Sequence, residues 1–325
     1  MAGEFTAIIA VLCFVGSNVL FRRTEHQASP LFINLFRTAI GTLTFIIIAL
    51  ILNIFLQIFL IPWNLWLVLF MSFLFGQVIA DTSYFKAQRE LGTTIAMAVS
   101  MTFPLFTYML SLIFLNRPFE LRVIISIILV GIGIVIIGKS RLVLNNKDFN
   151  NSKAEIHSLK KKWKGFFTQN TIKAVGFGMI ASIGWAIGLV IIDYATNEIN
   201  RILQINGLSS IIGNVIRFPF ALAILALLAF RESFFQNKTV SSPNQKKTYN
   251  TWIILIIASV IGTSIGAYVY TEAARTAGAT VMSLIASASP LFSLPLTYWV
   301  NKEGITKIGF LGVVLTILGV VVILL

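Results

Sequence analysis

Three ionisable residues lie inside long apolar stretches of the sequence, where each could do chemistry. Arg37 and Arg217 each fall within an apolar run, and Asp81 lies close to the end of another. An ionised side chain at the centre of a membrane helix costs roughly 2.5–3.5 kcal/mol on insertion scales, so such residues are functional candidates. An arginine stays protonated and binds planar oxygen groups, whereas a buried carboxyl group can take up a proton. Arg37 or Arg217 is therefore predicted to bind an anionic group, and Asp81 is a candidate for proton coupling.

Each of these residues also has a structural interpretation, which the sequence leaves open. Either arginine could instead hydrogen-bond carbonyl groups at a helix end or extend toward a membrane interface. Asp81 could form an ion pair with Lys86 or with an arginine.

The sequence repeats itself around these residues. Asn34 and Arg37 match Asn214 and Arg217 at an offset of 180 residues. At an offset of 186 residues the matches are Gly76 to Gly262, Tyr84 to Tyr270, Ala87 to Ala273, Arg89 to Arg275, Gly92 to Gly278, Thr94 to Thr280 and Pro104-Leu105-Phe106 to Pro290-Leu291-Phe292. The same offset places Ala267 opposite Asp81, so the repeat is broken at this carboxylate.

Polar and aromatic residues in the apolar runs are candidates for the lining of a solute cavity, because hydroxyl groups and aromatic faces suit amphipathic organic solutes. The predicted substrate-binding residues are Ser17, Asn18, Asn34, Arg37, Tyr84, Ser100, Trp185, Asn214, Arg217, Tyr268, Tyr270, Ser283 and Ser287. Helix packing explains any one of them equally well. Pro104 and Pro290 each remove a backbone hydrogen bond in mid-span and predict helix kinks, which are either static or used in a conformational change.

The elements that carry these residues are predicted to be membrane-spanning helices. The sequence is 57% apolar and 11% charged, against roughly 45–50% and roughly 25% in soluble domains. A run of about 18 apolar residues crosses the hydrocarbon layer as a helix, and the alternating pattern of membrane strands does not occur here. The fold class is therefore an all-α membrane protein with ten transmembrane helices, near residues 4–21, 31–52, 64–85, 92–115, 121–138, 174–194, 203–230, 250–271, 278–300 and 305–325.

The ten spans divide into two related halves. Residues 1–138 form a first five-helix repeat, residues 139–173 a polar basic linker, and residues 174–325 a second five-helix repeat. Because five is odd, the second repeat must enter the membrane from the opposite side, which gives an inverted repeat. Two inverted copies can exchange conformations, so a site between them can face each side in turn.

The basic residues indicate an orientation. The formal net charge is +13, and 19 Lys or Arg residues lie on one side of the predicted spans against four on the other. Because the positive side is normally cytoplasmic, both termini are expected outside. This distribution accounts for the positive charge as a determinant of membrane orientation, so the charge does not indicate a nucleic-acid partner. The run at residues 160–164 either contacts anionic headgroups or is a solvated determinant of topology.

Enzyme motifs have little support. Residues 262–266 fit a Gly-x-Ser-x-Gly pattern but lie within an apolar run, and the two histidines, His26 and His157, are in loops. The single cysteine, Cys13, excludes an intrachain disulfide and a thiolate cluster. We expect no catalytic residues, metal or cofactor.

The repeated motifs resemble the EamA-type domain of the drug/metabolite transporter superfamily. The shared features are Gly16-Ser17-Asn18, Arg37 and Arg217, the Ala-x-x-x-x-Gly-Ala/Thr-Thr sequences that begin at Ala87 and Ala273, Pro104, Glu303, and the glycines Gly131, Gly133 and Gly319. Asn116-Arg117-Pro118 departs from the pattern at the turn that Glu303 occupies in the second half. The resemblance implies a ten-helix carrier with a central cavity, most often an exporter of amino acids, other metabolites or drugs. It also implies cytoplasmic termini, which is the reverse of the charge-based expectation.

The sequence thus predicts a permease in the plasma membrane that moves small organic metabolites by alternating access. Its partners are a small-molecule substrate and the lipid bilayer, and a monomer suffices. Two alternatives stay open: a sugar-phosphate or nucleotide-sugar exchanger, and a non-transporting membrane scaffold or intramembrane enzyme.

Overall fold

A computed structural model describes residues 2–148, 169–205, 207–236, 248–301 and 307–324, in which every regular element is a helix. The predicted all-α class is confirmed. The α-helices are α1 (Ala2–Arg22), α2 (Pro30–Ile51), α3 (Trp63–Phe73), α4 (Thr82–Leu91), α5 (Thr93–Ser100), α6 (Phe103–Phe114), α7 (Leu121–Asp148), α8 (Gln169–Leu203), α9 (Ser209–Gln236), α10 (Tyr249–Ser259), α11 (Gly266–Ala277), α12 (Ala279–Ser287), α13 (Ser289–Asn301) and α14 (Lys307–Leu324).

Within the described ranges, seven helical segments are long and apolar enough to cross a membrane: Gly3–Arg22, Pro30–Ile51, Trp63–Leu91, Ile172–Leu203, Ser209–Arg231, Tyr249–Ala277 and Ala279–Val300. Phe103–Phe114 and Leu121–Gly133 are shorter apolar helices. Large apolar side chains such as Leu56, Phe114 and Trp299 are mostly exposed on the outside of the bundle. Such a surface suits lipid, so the protein is an integral, multi-pass membrane protein.

Two of the long segments contain a π-helical turn at matching positions. Leu74–Asp81 (π1) lies between α3 and α4, and Val260–Ile265 (π2) lies between α10 and α11. At the 186-residue offset the two turns begin at the same position of the repeat. A π turn widens the helix and redirects side chains, and such turns often occur at functional sites. Here π1 carries Gln77 and Asp81, both buried.

A glycine follows each of these long segments and separates it from the next helix. Gly92 and Gly278 have φ of 79° and 85°, a left-handed conformation that side chains with a Cβ adopt at a cost. The following spans are interrupted again, between α5 and α6 and between α12 and α13. Pro104 and Pro290 are the second residues of α6 and α13, so each lies in a first helical turn and not in the middle of a continuous helix as predicted. Proline is tolerated there because its missing N–H would have no helical partner.

Gly92→Ala is expected to destabilise the folded protein by about 1–2 kcal/mol through backbone conformation alone. An added Cβ at Gly92 would meet no atom within 4 Å, so no clash contributes. Gly16→Ala is the matched control, because Gly16 is helical and also open. Thermal unfolding in detergent should show a lower melting temperature for Gly92→Ala only. Equal melting temperatures would contradict the expected strain.

The two halves of the chain pack against each other through several pairs of elements. α1 packs on α11, α2 on α9, α7 on α14, and α8 on π1. The contact of α8 with π1 is close because it uses glycine: a Cβ at Gly188 would lie 3.0 Å from the Cα of Gly76. In addition, the Ser72 hydroxyl donates a hydrogen bond to the Gly188 carbonyl, 2.9 Å away. Groups from both halves therefore meet in the interior.

Candidate functional site

A cavity lies between the two halves of the chain, with an empty volume of about 850 Å³ that includes its open part. Ligand pockets commonly have mostly apolar walls and a few polar groups. Most of the wall here is apolar, from residues such as Val11, Met101 and Leu189. The polar and aromatic lining residues are Phe14, Arg37, Ser72, Phe73, Gln77, Asp81, Phe103, Trp185, Arg217, Tyr270 and Ser289.

Arg37 and Asp81 form a buried ion pair at one part of the wall. The Arg37 Nη2 atom lies 2.7 Å from Asp81 Oδ2 and 3.4 Å from Gln77 Oε1. The second carboxylate oxygen of Asp81 accepts a hydrogen bond from Trp185 Nε1 at 2.7 Å. The guanidinium also lies over the Phe85 ring, 5.3 Å from its centroid. The charge of Arg37 is thus compensated, and the pair joins α2 to π1 and, through Trp185, to α8.

Side chains behind this pair hold π1 against α2. The Asn34 amide donates to the Gln77 carbonyl at 2.8 Å and to the Thr82 hydroxyl at 3.0 Å. The Gln77 amide donates to the Thr38 hydroxyl at 2.9 Å. These bonds fix the wide turn, so the direction of Asp81 depends on residues that do not line the cavity.

Arg217 is the repeat counterpart of Arg37 and has a different environment. Its Nε donates to Asn214 Oδ1 at 2.9 Å, its Nη2 to Thr271 Oγ1 at 2.8 Å and its Nη1 to Ser72 Oγ at 3.5 Å. The guanidinium lies over the Phe73 ring, 4.2 Å from its centroid. No carboxylate of the described residues lies within ion-pair distance of Arg217, although its exposure is only 4%. Its charge is therefore stabilised by neutral groups only.

Comparison with known proteins identifies the fold and the family. A profile of the EamA-like transporter family matches residues 1–139 and 172–325. The chain belongs to the EamA-like transporter family. A curated relative of this EamA-like protein is an uncharacterized transporter of Archaeoglobus fulgidus. The two sequences are 23% identical over an alignment that covers 98% of this chain and 96% of the relative. A solved structure, titled only as a crystal structure of a protein, superposes with a TM-score of 0.71 at 15% identity, over 99% of this chain and 96% of that one. The protein is thus a membrane transporter, and these findings indicate transport and not enzymatic activity.

The EamA-like fold brings five of the predicted site residues to the cavity: Arg37, Asp81, Trp185, Arg217 and Tyr270. Several other predicted residues are buried and donate hydrogen bonds within their own helices, although Oδ1 of Asn18 has no partner among the described residues. Ser17 and Asn18 donate to the Phe14 carbonyl, at 2.9 and 2.8 Å. Ser283 and Ser287 donate to the carbonyls of Thr280 and Leu284. None of these four lines the cavity.

The remaining predicted residues also lie outside the wall. Asn34 and Asn214 hydrogen-bond the groups described above, and Tyr268 is partly buried. The hydroxyls of Tyr84 and Ser100 are buried without a hydrogen-bond partner among the described residues. Tyr84 belongs to an aromatic cluster, with its ring centroid 5.2 Å from that of Trp185. Tyr84 therefore packs against Trp185 behind the cavity wall.

Sequence reasoning missed six polar or aromatic residues of the transporter site: Phe14, Ser72, Phe73, Gln77, Phe103 and Ser289. Ser72 precedes Gly76 by four residues, and this small-xxx-small spacing could have indicated the close helix contact. Gln77 had no such signal. The run at residues 160–164 and Glu303 lie outside the described residues, as does most of the predicted linker; its flanks are helical parts of α7 and α8.

Two buried carboxylates away from the cavity accept hydrogen bonds close to the left-handed glycines Gly92 and Gly278. The Glu25 carboxylate accepts from Gln88 Nε2 at 2.6 Å, close to Gly92. The Asp193 carboxylate accepts from the Ala279 backbone N–H at 2.8 Å, directly after Gly278. Glu25 and Asp193 are 168 residues apart, the offset that also matches Gly16 with Gly184.

Glu25 lies between the first two candidate spans and is paired with Arg22. Burial raises the pKa of Glu25, and the Arg22 charge and the Gln88 hydrogen bond oppose part of that rise. Each half thus has a buried carboxylate that accepts a hydrogen bond beside its glycine turn, from a side-chain amide in the first half and from a backbone N–H in the second.

Proposed function

We propose that the protein is a secondary transporter that moves small organic metabolites by alternating access. In this proposal the chain crosses the membrane ten times as two inverted five-helix repeats, residues 1–138 and 174–325, joined by the linker 139–173. The observation that carries the proposal is the central cavity, whose polar groups come from both repeats, Asp81 and Arg37 from the first and Trp185 and Arg217 from the second. Relative motion of two repeats would open such a cavity to either side.

Amino acids or related solutes are the substrate class that we propose, with export as the direction. The mostly apolar wall suits a solute with an apolar body, and the few charged groups suit its ionised end. The resemblance of the motifs to exporters supports the direction. A sugar-phosphate or nucleotide-sugar exchanger is less supported, because such a polyanion requires several free basic groups and Arg37 is neutralised by Asp81.

Transport in proteoliposomes tests this proposal. Purified protein should accelerate flux of at least one member of a panel of radiolabelled amino acids above the rate of protein-free liposomes, with sugar phosphates inactive. Ala286 lines the cavity, so Ala286→Phe should lower the initial rate on the order of tenfold by filling the solute space. Ala226→Phe is the matched control, because Ala226 is exposed on the bundle surface. Equal loss in both variants, or no flux of any panel member, would contradict the proposal.

Asp81 is the proposed proton-coupling group. Asp81→Asn should abolish the response of flux to a pH gradient while solute exchange without a gradient continues, because an amide takes up no proton at neutral pH. Rates are compared per amount of folded protein, since the same change also affects stability. A gradient response of unchanged size in Asp81→Asn would remove Asp81 from the coupling mechanism.

A further inference from the structure

The two arginines of the repeat differ in one respect that the sequence alone does not explain. Arg37 has a carboxylate partner, Asp81, and the repeat position equivalent to Asp81 in the second half is Ala267. Arg217 occupies the repeat position equivalent to Arg37. Because Ala267 has no carboxylate, Arg217 lacks a counter-ion among the described residues. Both arginines line the same cavity.

The groups around Arg217 have more donors than acceptors. A guanidinium has five N–H groups, and three of those of Arg217 have acceptors: Asn214, Thr271 and, at the longest distance, Ser72. The amide nitrogen of Asn214 is buried and has no acceptor in the described part of the chain. In the first half, by contrast, the amide of Asn34 has two acceptors. The second half therefore has unused donors beside an uncompensated positive charge.

A buried charge without a counter-ion is unfavourable, and an anion that binds there recovers the lost interaction. We infer that Arg217 binds a single anionic oxygen group of the transported solute, and that Ala267 keeps Arg217 available by the absence of a carboxylate at that position. This inference rests on the proposed function, because it takes the cavity to be the solute site. Arg37 is neutralised by Asp81 as long as that carboxylate is ionised, so in this state the site accepts one negative charge.

Position 267 is close enough to act on Arg217. Thr271, which accepts from Arg217 Nη2 at 2.8 Å, lies one helical turn after Ala267 and donates to the Ala267 carbonyl at 2.7 Å. Residues four apart share a helix face, so an aspartate at 267 would extend beside Thr271 toward the guanidinium. Ala267 lines the cavity, which has room for the added carboxylate.

The chemical class of ligand follows from the wall around Arg217. Phe73, Met282 and Tyr270 are lining residues, and the Arg217 guanidinium lies over the Phe73 ring. A monocarboxylate with an apolar or aromatic body fits this combination, whereas a phosphate ester would bring a second charge with no partner.

The test is Ala267→Asp against Ala267→Asn, which has nearly the same shape and no charge. Binding is measured as the shift in melting temperature of the detergent-purified protein with four probes: phenylacetate and L-phenylalanine, and their uncharged-carboxyl counterparts phenylacetamide and L-phenylalaninamide. Wild type and Ala267→Asn should respond to the two carboxylates and not to the amides. Ala267→Asp should require about tenfold or more carboxylate for the same shift, because its own carboxylate occupies the guanidinium.

The inference is overturned if Ala267→Asp responds to carboxylates as the wild type does, if the amides bind as well as the carboxylates, or if the wild type responds to no probe. A different result would separate this inference from the proposed function. If only Ala267→Asp loses carboxylate binding but the wild type transports none of the four probes, the anion site is supported and the proposed transport of such carboxylates is contradicted. An unaltered melting temperature of ligand-free Ala267→Asp, or a higher one, would show that the variant is folded.

Discussion

Asp81→Asn should lower the stability of the folded protein by about 3–5 kcal/mol, because it leaves the Arg37 guanidinium buried without a counter-ion. Arg37 is 8% exposed, and its Nε atom has no hydrogen-bond partner among the described residues even when the ion pair is present. An arginine cannot neutralise itself by losing a proton. The folded yield and the melting temperature of the variant in detergent should therefore both fall.

Arg37→Gln is expected to be milder than Asp81→Asn. The carboxyl group that it leaves can become neutral by binding a proton, and Trp185 still donates to it at 2.7 Å. The double variant Arg37→Gln/Asp81→Asn should recover part of the loss, since neither charge is then buried alone. Size-exclusion profiles and melting temperatures of the three variants test this order. A double variant whose loss equals the sum of the two single losses would show that the ion pair is not the cause.

The ion pair shows what could be predicted for the site. The apolar surroundings of Arg37, Asp81 and Arg217 were enough to select them as the residues of interest, and all three line the cavity. The sequence offered Lys86 or an arginine as a partner for Asp81, and the structure selects Arg37. Local sequence could not make that choice, because the direction of Asp81 depends on a π turn held by contacts with α2. Broken repeat symmetry at Ala267 was visible, but its effect on Arg217 required coordinates.

The hydroxyl and amide candidates show why other parts of the site were not predictable. In a bundle surrounded by lipid, a serine satisfies its hydroxyl most easily on a carbonyl one turn earlier in its own helix. Ser17, Ser283 and Ser287 do this, and a polar residue type alone does not distinguish such a bond from a contact with solute. That the apolar runs form helices was predictable, because hydropathy follows the lipid environment. The interruptions after Ser100 and Ser287 were not, since the residues on both sides are equally apolar.

Substitution of Gly184, where α8 closely contacts π1, is expected to have a large effect on stability and transport. A Cβ at Gly184 would lie 2.8 Å from both the Phe75 carbonyl oxygen and the Ala80 Cβ, so the backbone must move. Gly184→Ala should destabilise the protein by about 1–3 kcal/mol, and Gly184→Val by more. Because Gly184 precedes Trp185, the same displacement should separate Trp185 from Asp81 and reduce transport per folded molecule.

Gly176 provides the control for this test on the same helix. A Cβ at Gly176 would meet no atom within 4 Å, so Gly176→Ala should be neutral or should stabilise α8 by up to about 1 kcal/mol through helix propensity. Melting temperature, tryptophan fluorescence and the initial transport rate are compared between the two alanine variants. Transport that is lost in Gly184→Ala with little change in melting temperature would assign the effect to the Trp185–Asp81 contact. Equal behaviour of the two variants would contradict the close approach of α8 to π1, and with it the geometry that brings a residue of the second half to the carboxylate of the first.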